Sequence, residues 1–177
     1  MHKDVEKILV SEEEIENRSR ELAKEISNYY KEKNSIPVVV GLLKGSVPFM
    51  MSLVMKMECD LEIDFMDVSS YSGTASVEVK INKDINTSVI DRDILIVEDI
   101  IDTGKTLEKV IELFEHKGAK DIKIATLLDK PSRREKDIKG DYIGFEVPDE
   151  FVIGFGLDYN QKYRNLPYVG VIKKEAI

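Results

Sequence analysis

Apolar positions along this chain switch repeatedly between helical spacing and short strand-like runs. Ser11 followed by Glu14 reads as a capping box, and Ile15, Leu22 and Ile26 lay an apolar stripe along a helix that the pattern ends near Asn34. Strands are predicted at Ile36 to Leu42, Leu61 to Val68 and Ile94 to Val97, the last an unbroken and mostly β-branched run of the kind buried on both faces of a parallel sheet. Helices are predicted over Val47 to Met57 and from Lys105 to Gly118, and a further strand over Ile122 to Leu128. A charged connection, Ser132-Arg133-Arg134-Glu135, then leads to short strands near Tyr142 to Phe145, Val152 to Phe155 and Val169 to Ile172. Such alternation predicts an α/β fold, a mostly parallel twisted sheet with helices on both faces. The segment after about residue 129 holds no helix long enough to cross over, so it is expected to form a small strand-rich hood over the carboxyl edge of the sheet. Without linker, repeat or low-complexity segment, residues 1–177 read as a single domain.

Composition narrows the classes. At 177 residues, a chain of this size buries roughly 70% of the surface it exposes when unfolded. Lys and Arg number 26 against 34 Asp and Glu, a net charge of −8, with no long basic run, so no nucleic-acid partner is expected. The single cysteine, Cys59, excludes an internal disulfide framework and a Cys-rich zinc site. The charged start MHKDVEKILVSEEE has no signal-peptide core, and no apolar run reaches the ~18 residues of a membrane span, so a cytoplasmic protein with no membrane partner is expected.

The chemistry concentrates in ILIVEDIIDTGKTL, Ile94 to Leu107. An apolar strand runs into Glu98 and Asp99, then into Asp102-Thr103-Gly104-Lys105-Thr106, a turn that opens a helix. Successive backbone N–H groups of such a turn, with a helix N-terminus worth roughly +0.5 charge, surround a phosphate without needing a basic side chain. The hydroxyls of Thr103 and Thr106 add donors. Glu98 and Asp99 sit at the carboxyl end of the strand, where open α/β sheets place their ligands, and accept hydrogen bonds from sugar hydroxyls. Gly104-Lys105-Thr106 looks like the end of a P-loop, yet the glycine required five residues earlier is Asp99, so the nucleoside-triphosphatase reading fails. Leu43-Lys44-Gly45-Ser46, between a strand and a helix, opens at the same sheet edge as a second candidate anion loop.

The fourteen residues resemble the 5-phosphoribosyl-1-pyrophosphate (PRPP) motif of the type I phosphoribosyltransferases, and the form Val-Glu-Asp-Ile-Ile-Asp-Thr-Gly is most similar to the hypoxanthine-guanine branch. Leu43 to Ser46, the loop around Ser70-Tyr71, Leu128 to Pro131, Gly144 to Asp149 and Val152 to Tyr159 follow the order and spacing of that family, so the resemblance covers nearly the whole chain. It implies Mg²⁺-dependent transfer of 5-phosphoribosyl from PRPP to N9 of hypoxanthine or guanine, giving IMP or GMP and pyrophosphate, a purine-salvage reaction. Lys44, Gly45 and Arg164 would hold pyrophosphate, with a cis peptide often preceding the lysine. Glu98, Asp99 and Asp102 to Thr106 would take the ribose and its 5′-phosphate.

On the base side, Lys130 only donates hydrogen bonds, which suits a 6-oxo group and mismatches the amino group of adenine. Phe151 offers a stacking face. By resemblance Val152 reads the purine edge, Asp158 lies near base and metal, and Ser70 and Tyr71 belong to a lid. Asp102 is the candidate proton acceptor as N9 attacks, because the rest of the task is positioning and electrostatics around a cation-like sugar. Glu98 and Asp99 bind either the ribose directly or a second Mg²⁺, and the sequence leaves both open. It also leaves open xanthine as a substrate, and a nucleotide-sensing regulator built on the same fold. The resemblance implies a homo-oligomer, dimer or tetramer. Phe49, Met50, Leu53 and Val54 exceed one narrow stripe and serve either a subunit contact or the core. His2, His116 and Cys59 are read as structural.

Overall fold

The computed structural model describes residues 1–72 and 77–177, and the side chains of residues 70–78 lie outside that description. The elements run β1 (Val5–Val10), α1 (Glu12–Glu32), β2 (Val38–Leu43), α2 (Val47–Val54), β3 (Glu62–Ser72), β4 (Val77–Lys83), β5 (Asp93–Ile101), α3 (Lys105–His116), β6 (Asp121–Asp129), β7 (Tyr142–Glu146), β8 (Val152–Ile153) and β9 (Val169–Ile172). Six strands form the main sheet in the order β4-β3-β2-β5-β6-β7, parallel except for the antiparallel edge strand β4.

Alternation along the central strands explains their unbroken apolar runs. Val39, Leu95 and Val97 face α1 and α2 in one core, while Val38, Val40, Ile94 and Ile96 face α3 in another. The capping box forms as the sequence implies, with Glu14 N donating to Ser11 Oγ at 3.2 Å and Ser11 N donating to Glu14 Oε2 at 2.8 Å. Phe49, Met50, Leu53 and Val54 are all buried against this core, which settles their role within one chain. Gly41 lets α2 sit close, since a Cβ there would lie 2.4 Å from Met50 Sδ.

A second sheet, β1-β9-β8, is antiparallel and forms the hood. Its small core is Val5, Ile153 and Ile172, with Tyr159, Tyr163, Leu166 and Tyr168 packed around it. The hood therefore borrows a strand from the N-terminal segment, and β7 extends the main sheet beside β6. Several boundaries differ from the sequence reading, and β5 runs Asp93–Ile101 rather than Ile94 to Val97, so the acidic pair lies within the strand. Helix α2 stops at Val54, and β8 stops at Ile153 because Gly154, Phe155 and Gly156 take positive φ (99°, 46° and 103°). Strand β3 continues past Val68 to Ser72, paired antiparallel with β4, so Ser70 and Tyr71 lie in a strand rather than a loop. Among the described residues no helix is long and apolar enough to cross a membrane.

Candidate active site

Strands β2 and β5 are neighbours and parallel, so the connections that follow them open side by side at the carboxyl edge. Together with the loop after β8 they enclose a cavity of about 430 Å³ lined by Lys44, Gly45, Glu98, Asp99, Asp102, Thr103, Gly104, Thr106, Asp158 and Arg164, among others. Three segments far apart in sequence thus meet at one place. The peptide between Leu43 and Lys44 is cis, as the resemblance implies.

Around the first anion loop the packing is tight. A Cβ on Gly45 would lie 1.6 Å from Asp99 Oδ2, and a Cβ on Gly156 would lie 1.9 Å from the Gly45 carbonyl oxygen. Gly45 is thereby held between the acidic pair and the hood loop. The second loop ends in Gly104 with φ of 85°, a left-handed conformation that favours glycine, and α3 begins at the next residue. Lys105 N donates to Thr103 Oγ1 at 3.4 Å. The Lys105 side chain leaves the cavity and pairs with Glu135, so only its backbone belongs to the phosphate turn.

Glu98 and Asp99 share one electrostatic environment. Glu98 Oε1 accepts from Asp99 N at 3.0 Å, and Asp99 Oδ1 accepts from Ile100 N at 2.8 Å. Burial, then the neighbouring Asp99 charge, pushes Glu98 well above the usual carboxylate range. Burial also raises Asp99, against the hydrogen bonds from Glu98 and Ile100 N and the nearby Arg164 guanidinium, which pull it down. Both carboxyls are thus held above their ordinary range, Glu98 the more strongly.

Arg164 closes the cavity from the hood side. Its Nη1 donates to the Gly156 carbonyl at 2.7 Å and its Nη2 sits 2.8 Å from Asp158 Oδ1, while Nε is buried without a partner. Asp158 Oδ2 accepts from Gln161 N at 2.8 Å. Asp102 Oδ1 is likewise buried without a hydrogen bond, although Arg133 Nε lies 3.2 Å away as an ion pair. Buried polar atoms without partners are uncommon, and two of them at one cavity mark groups ready to bond a ligand.

Lys130, Phe151 and Val152 are not among the residues that line this cavity. Lys130 is only 5% exposed and its Nζ donates to the Glu150 carbonyl at 2.9 Å, which draws it to the residue preceding Phe151. The Phe151 ring is 48% exposed and meets Tyr159 edge-on at 5.6 Å. Val152 is buried in β8, paired with Val171. The side chains of Ser70 and Tyr71, expected in the lid, lie outside the described residues. Sequence reasoning assigned nothing to Arg133, Arg134, Asp129 or Gly156, all of which touch the loops that build the site.

Residues 7–160 match the phosphoribosyl transferase domain. The chain is 57% identical over 175 residues to the hypoxanthine-guanine phosphoribosyltransferase of Bacillus subtilis, covering 98% of this chain and 96% of that one. It is 52% identical over 177 residues to the bifunctional protein TilS/HprT of Listeria monocytogenes, of whose length it spans 27%. Among solved structures, a hypoxanthine phosphoribosyltransferase from Staphylococcus aureus superposes with a TM-score of 0.95 at 46% identity, covering 99% of this chain and 96% of that one.

Proposed function

The chain belongs to the phosphoribosyl transferase family, and on that footing we propose that it transfers 5-phosphoribosyl from PRPP to N9 of hypoxanthine or guanine, releasing pyrophosphate and IMP or GMP. One observation carries the reading: the cavity brings the acidic pair, the phosphate turn, the Lys44-Gly45 loop and Arg164 into contact with a single ligand-sized space. The turn Asp102 to Thr106, at the N-terminus of α3, takes the 5′-phosphate. Lys44, the amide of Gly45 and the Arg164 fork take pyrophosphate. Glu98 and Asp99 accept from the ribose hydroxyls.

Oxygen ligands suit Mg²⁺, and Glu98, Asp99 and Asp158 all line the same cavity. The residues fit: burial leaves the acidic pair short of a compensating cation, which is the condition a divalent ion relieves. Among the described residues no three acidic, His or Cys side chains converge on one point, so Glu98, Asp99 and Asp158 would hold Mg²⁺ only as part of its ligand set. When bound, Mg²⁺ neutralises the departing pyrophosphate.

Positive charge grows on the ribose as the bond to pyrophosphate breaks, and the acidic pair Glu98 and Asp99 stabilises it. Asp102 receives the proton of the purine imidazole as N9 attacks. Lys130 donates to the 6-oxo group, Phe151 stacks on the purine, Val152 reads its edge through the backbone, and Asp158 lies at its rim. Ser70 and Tyr71 exclude water, a competing nucleophile, during turnover. The enzyme acts as a dimer or tetramer, testable by light scattering.

Purified protein with Mg²⁺ and PRPP, offered hypoxanthine, guanine, xanthine and adenine in parallel, tests the proposal through pyrophosphate release. Turnover with hypoxanthine and guanine and none with adenine is expected. Silence with every base, together with tight nucleotide binding, would instead make the protein a sensor.

A further inference from the structure

We propose that Arg134 is a positioning residue for the transfer reaction: its guanidinium fixes the backbone of Asp102 and, in the same grip, the end of β6 that carries Lys130. The proposal rests on the reaction proposed above. Arg134 Nε donates to the Asp102 carbonyl at 2.9 Å and Nη2 to the Ile101 carbonyl at 3.3 Å. Nη2 also pairs with the Asp129 carboxylate, and Nη1 donates to the Ile138 carbonyl. Three separate segments, the end of β5, the end of β6 and the connection to β7, are therefore tied by one planar fork. Only arginine presents five N–H donors in such a rigid plane.

The site depends on this tie because Asp102 has little else to orient it. Its Oδ1 accepts no hydrogen bond, and the ion pair with Arg133 is half exposed, with side-chain exposures of 49% and 37%. The direction of the carboxylate is thus set by its backbone, which Arg134 holds. The Arg134 and Asp129 side chains are only 16% and 12% exposed, so the fork is shielded from water. Lys130 joins the same arrangement, since its N donates at 3.0 Å to the Ile101 carbonyl that Arg134 also binds. The arginine stem lies over the phosphate turn, where a Cβ on Gly104 would meet Arg134 Cδ at 3.3 Å. Arg134 does not line the cavity, so it acts through its neighbours.

A double-mutant cycle with Asp102 tests this. Steady-state kinetics are measured for the wild type, Arg134→Gln, Asp102→Asn and the double variant, with thermal melts of each. Misplacing a reacting group by about 1 Å costs on the order of 10²-fold, so Arg134→Gln is expected to lower kcat about 10- to 100-fold. When residue 102 is already Asn, the same substitution is expected to lower kcat by no more than about threefold, because groups acting as a unit are not additive. A general loss of structure would give the same loss in both backgrounds, and that outcome overturns the proposal, as does a folded Arg134→Gln with kcat within about twofold of wild type. If Arg134→Gln does not fold, Arg134→Lys decides by the same cycle, since it keeps the charge beside Asp129 and loses the fork. A wild type without turnover refutes the transfer reaction itself and this role with it, whereas failure of the Arg134 proposal alone leaves wild-type turnover intact.

Discussion

Gly45 lies so close to Asp99 that a methyl group on it would sit 1.6 Å from Oδ2 and 2.6 Å from Cγ. The anion loop and the acidic pair are therefore a single packed unit, and the space a ligand enters is defined by the absence of a side chain. Gly45→Ala forces one of the two to move. A shift of about 1 Å at reacting groups costs on the order of 10²-fold, so kcat/KM for PRPP is expected to fall by at least that much. Kinetics alongside a thermal melt check this; a folded variant with kcat/KM within about threefold of wild type would show that the contact is relieved elsewhere.

Asp102 is expected to govern the chemical step rather than binding. Asp102→Asn keeps shape and removes the proposed proton acceptor, so kcat should fall about 10²- to 10⁴-fold while KM for PRPP moves little. Near-normal turnover would take the role away from this residue.

For Lys130 the expected effect is on the base. Its ammonium is buried and bonded to the Glu150 carbonyl, beside the exposed face of Phe151. Loss of a charged hydrogen bond at a buried site costs about 1.5–3 kcal/mol, so Lys130→Met should raise KM for hypoxanthine about 10- to 100-fold. KM for PRPP should stay within about threefold, since Lys130 is not among the residues lining the cavity that holds the phosphate turn. Equal loss for both substrates would assign Lys130 a purely structural part.

Glu98 predicts how stability depends on pH. Burial and the Asp99 charge raise it in the folded protein above its ordinary value of 4.5. The folded state then binds more protons than the unfolded chain, so stability falls as pH climbs from 4.5 through the folded value. Glutamine has no such slope. Glu98→Gln should therefore melt higher than wild type at pH 8, with the gain disappearing near pH 4, and Mg²⁺ should raise the wild-type midpoint more than that of the variant. A melting difference that is flat across this range would contradict the upward shift of Glu98.

What the sequence made legible was whatever is local. The strand Ile94 to Val97, the acidic pair and the turn to Thr106 are consecutive, so their order alone defines the phosphate side of the site, and the capping box of α1 spans four residues. What it hid depends on contacts between distant segments. Arg134 looked like part of a charged connection because its acceptors, at 101, 102, 129 and 138, come together only in the fold. Lys105 stands in the motif, and nothing local shows that its side chain turns away to Glu135. Strand β4 alternates Val77, Val79 and Ile81, a period-2 signal that was available, whereas β1 is recognisable only beside its partner.

That partner has a consequence for how the molecule assembles. Val5 pairs with Ile172 and Lys173 N donates to the Asp4 carbonyl at 2.9 Å, so the central strand of the hood waits for residues at both ends of the domain. Closing so long a loop is slow compared with joining β5 to α3, which are adjacent in the chain. The β5–α3 unit is therefore completed well before the hood, and amide-exchange labelling during refolding should find β5 and α3 protected before β1 and β9.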